Sequence, residues 1–110
     1  MADDGSSDLL IELIECYLEE TPKMLQAIRA AAINSDHILL NRTAHSLRSS
    51  SGSLGAIQLS RLCQELEIMT HSDNTTGISE AAVFLTICQL ETEYERVKLA
   101  LQEELQGEQR

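Results

Sequence analysis

Ser49-Ser50-Ser51-Gly52-Ser53 has the composition of a flexible Gly/Ser linker, and as a linker it would divide the chain into two short pieces. The flanking sequence argues for a helix instead. Leu40, Ala44 and Leu47 recur at steps of four and three, and Ser51 and Leu54 carry the same alternation through the run. Its small residues therefore fall on an apolar helical stripe, where they let two helices approach closely. Asn34-Ser35-Asp36 is a stop and cap signal, so this helix is expected from His37 to about Gly52. Gly55 is expected to open the next, with Leu59, Leu62, Cys63, Leu66 and Met69 facing inward.

Working toward the N-terminus, a helical pattern begins at Asp8, with Leu10, Ile14 and Tyr17 on one face. Leu9, Ile11, Leu13 and Leu18 widen its apolar arc beyond a single stripe. Thr21-Pro22 then suggests a break, since Thr caps helices and Pro suits their first position; a second helix follows through Met24, Leu25, Ile28 and Ala32. Toward the C-terminus, residues 71–77 (His-Ser-Asp-Asn-Thr-Thr-Gly) form the clearest loop. A last helix from about Ser79 carries Val83, Ile87, Leu90, Tyr94, Val97 and Leu101, again at steps of four and three. That alternation is the seam of a left-handed bundle, and short connections make successive helices antiparallel. The expected fold is all-α: an up-down-up-down antiparallel four-helix bundle with an additional short N-terminal helix. Residues 1–7 are expected to be disordered, 8–106 to form a single domain and 107–110 to fray.

The chain has 110 residues and a formal net charge of −10, but the charge is uneven. The 28 residues between Asp36 and Glu65 contain no carboxylate and carry Arg42, Arg48 and Arg61, a local charge of +3 that leaves −13 for the rest. This excludes the broad basic footprint that nucleic acid or an anionic membrane requires, and suggests a localised anionic partner. No apolar run approaches the ~20 residues of a membrane span, and the start Met1-Ala2-Asp3-Asp4 lacks the basic region of a signal peptide. A cytoplasmic protein is expected. Cys16, Cys63 and Cys88 are odd in number, far apart and set in apolar segments, which reads as buried reduced thiols rather than a metal site or disulfide. Glu12, Glu15, Glu19 and Glu20 read as a solvated helix face, and His37 and His71 as incidental to function.

One histidine is placed differently. At about 100° per residue, His45 falls about 140° from the centre of the Leu40-Ala44-Leu47 stripe and should point into solvent. Asn41, Arg42, Arg48 and Ser49 lie one turn away, and Ile38 and Gly52 two turns away. No carboxylate on the same helix is placed to neutralise the two arginines. Flanking cations disfavour a protonated imidazole, so the ring should be neutral and nucleophilic, and they would also stabilise a phosphoryl group attached to it. A neutral His beside an Arg anchor is what a phosphocarrier needs.

The run from Ala44 to Ala56, with Leu59, Leu62-Cys63 and Leu66-Glu67, resembles the signature of histidine-containing phosphotransfer (HPt) domains of bacterial two-component phosphorelays. About 24 residues carry the resemblance. It implies that His45 is the phosphoacceptor, taking a phosphoryl group from a receiver-domain aspartate and passing it to another, through the ring nitrogen farther from the backbone. It implies Arg48, and Arg42 less directly, as phosphate-stabilising charges, and Ile38, Asn41, Ser49 and Gly52 as the docking surface, joined by exposed apolar residues of the first helix. The expected partners are response-regulator receiver domains and a hybrid sensor histidine kinase, of which the chain could be the C-terminal module. The domain would be a monomer and a phosphocarrier without turnover, with no cofactor of its own; Mg²⁺ belongs to the receiver. Two positions depart from the family pattern: Arg48 and Ser49 stand where Lys and Gly are usual, and Arg is not equivalent to Lys. The competing reading is an adaptor that binds a receiver or kinase through the same face without accepting phosphate.

Overall fold

The computed structural model describes residues 6–71 and 77–108, which form four helices. They are α1 (Ser6–Ile33), α2 (His37–Ser53), α3 (Ile57–Met69) and α4 (Glu80–Glu108). Each packs against two others, in the closed ring α1, α2, α3, α4 and back to α1. Contacts between α2 and α3 pair Arg48 with Ser60, His45 with Glu67 and Asn41 with Thr70, ascending on one helix as they descend on the other. The pair is antiparallel. Helix α1 starts two residues before the expected Asp8, and α4 runs past residue 106 to Glu108. The disorder expected for residues 1–5, the loop at 72–76 and the fraying of the last two residues lie outside the described residues. Among the described residues, no helix is long and apolar enough to cross a membrane.

The Ser-rich run is helix throughout. Leu40, Ala44, Leu47 and Ser51 are the buried residues of α2, as the alternation requires. The serines outside the core do not compete with the helix, because half-buried Ser50 donates to the carbonyl of Ser46 and exposed Ser53 to that of Ser49 at 3.0 Å. The Ser51 hydroxyl meets the Tyr17 hydroxyl at 2.7 Å in the core.

The expected break at Thr21-Pro22 is absent, and with it the additional N-terminal helix: α1 runs unbroken through Pro22. The buried stripe Ile14, Tyr17, Thr21, Leu25, Ile28 and Ala32 crosses the proline without a change of phase. Interior Pro costs ~3 kcal/mol, whereas burying Leu25 and Ile28 contributes ~1.5–3 kcal/mol each. Pro22 also leaves the Leu18 carbonyl without its helical donor, and the Tyr94 hydroxyl of α4 approaches that oxygen at 3.5 Å. Packing on α4 therefore overrides the local cap signal.

Gly55 does not open a helix; it ends α2. Its φ of +80° places it in the left-handed region, where its N–H bonds the Gly52 carbonyl at 3.0 Å and the Ala56 N–H bonds that of Ser51 at 2.9 Å. This is the paired closure of a Schellman motif. Helix α1 ends the same way, with Ser35 at φ 54° in the glycine position. Asp36 then caps α2, accepting from the Leu39 N–H at 3.1 Å. Gly52 is not a point of tight helix contact, since an added Cβ would meet Ser60 Oγ at an ordinary 3.7 Å.

The core is built as expected from Leu59, Leu62, Cys63 and Leu66 of α3 and Val83, Ile87, Leu90, Tyr94 and Val97 of α4; Met69 and Leu101 are half-buried at its margin. Of the three cysteines only Cys63 is buried, while Cys16 and Cys88 are exposed and all three are free. Cys88 flanks the Arg29–Glu91 ion pair that joins α1 to α4, with the Arg29 guanidinium 3.7 Å from its sulfur. Apolar neighbours in sequence do not bury these two, because both sit on the outer side of their helices.

Candidate functional site

The stripe that buries Leu40, Ala44 and Leu47 turns His45 outward, and its side chain is 59% exposed. The ring is nonetheless held. Glu67 of α3 lies beneath it, 16% exposed, with one carboxylate oxygen 2.6 Å from His45 Nδ1. The other oxygen accepts from Arg48 Nε, so a single carboxylate ties the imidazole to the guanidinium. Glu67 reaches this position because it follows the buried Leu66 on α3, and α2 and α3 pack side by side.

This geometry assigns the proton on the ring. A carboxylate oxygen 2.6 Å from a ring nitrogen requires a proton between them, so Nδ1 carries the hydrogen and donates to Glu67. Arg48 Nη2, 3.2 Å from the same nitrogen, then has no lone pair to bond there. With Nδ1 occupied, the lone pair of a neutral ring is on Nε2, the nitrogen farther from the backbone.

The sequence places no carboxylate on α2 to neutralise the arginines, and the anion that engages Arg48 comes from α3 instead. Arg48 is partly covered and engaged by Glu67. Arg42 is exposed and makes no ion pair among the described residues. Of the expected docking residues, Ile38 is 70% exposed, and Ser49 and Gly52 are exposed along the same side of α2. Asn41 is half-buried, and its amide donates to the Glu67 carbonyl at 2.9 Å and to the Thr70 hydroxyl at 3.1 Å. It clamps the end of α3 that carries Glu67. Asn41, Arg48, Gln64, Glu67, Ile68 and His71 line a shallow concavity of about 350 Å³ beside the imidazole. His37 stands apart, at the start of α2, 3.3 Å from Glu80.

Glu67 is the residue that the sequence left without a role. Its signals were its place in the resembling run and its position after Leu66 in the inward pattern of α3, which puts it at the edge of the core facing α2.

Chemically, the site presents one nucleophilic nitrogen on an exposed, oriented ring, with a guanidinium alongside and no carboxylate from α1 or α4 in hydrogen-bond contact with it among the described residues. A family model described as Hpt domain matches residues 12–106. The chain is also 26% identical over 106 residues to histidine-containing phosphotransfer protein 2 of Arabidopsis thaliana, a match covering 94% of this chain and 65% of that protein. No solved structure matches.

Proposed function

The chain belongs to the Hpt domain family, and on that premise we propose that it is a phosphorelay intermediate in which His45 accepts a phosphoryl group from the aspartate of a receiver domain and passes it to another. The observation that carries this reading is the Glu67 contact to Nδ1 at 2.6 Å, which leaves Nε2 as the nucleophile on a side chain that faces outward. Transfer is in line: Nε2 attacks the aspartyl phosphate while Arg48, with Arg42 one turn before, offsets charge on the phosphoryl oxygens. The chain needs no general base, because a neutral imidazole with its proton on Nδ1 already has the attacking pair. Mg²⁺ is the receiver's, and the chain acts as a carrier without turnover of its own.

The receiver's acidic pocket is proposed to dock on the carboxylate-free side of α2, across Ile38, Ser49 and Gly52, with Asn41 holding the α3 edge of that surface. The apolar groove between α1 and α2, lined by Leu13, Cys16, Tyr17, Met24 and Leu54, extends it. A hybrid sensor kinase is the proposed source of the phosphoryl group, and a monomer the proposed state.

The test is incubation with phosphorylated receiver domains. Acid-labile, base-stable phosphate should appear on this chain and be absent from His45→Gln. Tight binding with no transfer from any receiver would replace the carrier with an adaptor.

A further inference from the structure

Resting on the phosphoacceptor reading, the position of Glu67 fixes more than the direction of attack. When Nε2 attacks, the phosphorus–oxygen bond to the aspartate breaks and the carboxylate leaves with its electron pair. The new Nε2–P bond leaves the ring a cation, with the original proton still on Nδ1. A phosphorylated imidazole without a nearby anion sheds that proton as pH rises, and the neutral ring is then a poor leaving group. Here Arg48 and Glu67 contact the ring, Arg42 lies one turn away on α2, His71 lines the concavity that Arg48 and Glu67 share, and among the described residues Glu67 is the acceptor at Nδ1.

We propose that Glu67 retains the Nδ1 proton throughout the cycle, so that phosphorylated His45 stays in its cationic, readily discharged form at neutral and mildly alkaline pH. Onward transfer then balances without a proton step. An aspartate oxygen attacks phosphorus, the Nε2–P bond breaks, and the electron pair returns to Nε2, regenerating the neutral ring with its hydrogen still on Nδ1. Glu67 is a positioning residue in this scheme: it touches the ring and Arg48 but not the phosphoryl group. The same ion pair has a second effect, since Arg48 engaged by Glu67 gives less of its charge to the phosphoryl oxygens. Both effects favour rapid discharge over storage.

The experiment uses phosphoramidate as donor, so no receiver has to be identified. The full chain and its Glu67→Gln variant are phosphorylated, and loss of the ³¹P signal is followed across a pH series, with the urea-denatured phosphoprotein as reference. The amide of Gln still accepts a hydrogen bond but carries no charge. The native chain should lose phosphoryl faster than the variant by roughly five-fold at mildly alkaline pH, the scale of one partly exposed charge-assisted hydrogen bond. Its pH profile should be displaced upward from both the variant and the denatured chain. In the native phosphoprotein alone, the ¹⁵N signature of Nδ1 should remain that of a protonated nitrogen to higher pH than in urea, a readout independent of whether the variant folds. Coincident profiles, or Nδ1 deprotonating as it does in the denatured chain, overturn the proposal while leaving the phosphoacceptor reading in place. Absence of phosphoryl from His45 with either phosphoramidate or receivers overturns both.

Discussion

The hydroxyls of Tyr17 and Ser51 meet 2.7 Å apart in the core, joining α1 to α2 at the centre of the Ser-rich run. A leucine at position 51 would continue the apolar stripe, but it would have to displace the tyrosine ring. Serine instead satisfies the Tyr17 hydroxyl. Ser51→Ala is expected to destabilise the fold by about 1–2 kcal/mol, the cost of weakening a buried hydrogen-bond pair. Tyr17→Phe should cost a similar amount, and the double variant less than the two together, because each single change strands the other's hydroxyl. Urea denaturation of the four proteins measures this.

Burial sets an alkaline limit on stability. It pushes the Tyr94 hydroxyl and the Cys63 thiol each up to about 12, and raises Tyr17 as well. Below the ordinary value of a thiol all three are protonated in both folded and unfolded chains and cost nothing. As pH rises through 9.0 for Cys63 and 10.0 for the tyrosines, the unfolded chain ionises while the folded one cannot. Stability should therefore fall progressively between about pH 9 and pH 12, and Cys63→Ala should remove the earliest part of that fall. Denaturant midpoints across this range are the check.

Ser35 occupies the left-handed position at the end of α1, with φ 54° and an exposed side chain. Ser35→Gly should relieve the strain that a Cβ imposes there and raise stability by about 1 kcal/mol. Thermal and denaturant unfolding would register the gain, with no change expected at His45.

Ser49 lies one turn beyond His45 on the exposed side of α2, where the resemblance implies glycine. Removing its hydroxymethyl should let a receiver approach more closely. Ser49→Gly is expected to increase the rate of phosphoryl acceptance several-fold while costing about 0.5–1 kcal/mol of helix stability. Unchanged transfer kinetics would mean that the receiver does not press on this position.

The parts of the fold legible from sequence are those governed by a period. The inward sets of α2, α3 and α4 and the outward placement of His45 follow from the four-three alternation, because one buried stripe fixes the direction of every other side chain on a helix. Failures occur where a partner on another helix decides the outcome. Pro22 reads locally as a helix start, but the stripe from Ile14 to Ala32 and the approach of Tyr94 to the Leu18 carbonyl keep α1 whole. Gly55 reads as the start of a helix because its left-handed φ is invisible in sequence. Glu67 lies 22 residues from His45, and only the antiparallel pairing of α2 and α3 brings the two into contact.

The most direct test of the account is the atom to which phosphorus attaches. In uniformly ¹⁵N-labelled protein phosphorylated by a receiver, ³¹P–¹⁵N coupling should identify Nε2 of His45, with Nδ1 keeping its proton. Phosphorus on Nδ1 of His45, or on His37 or His71 instead, would contradict the arrangement of His45, Glu67 and Arg48 as the transfer site.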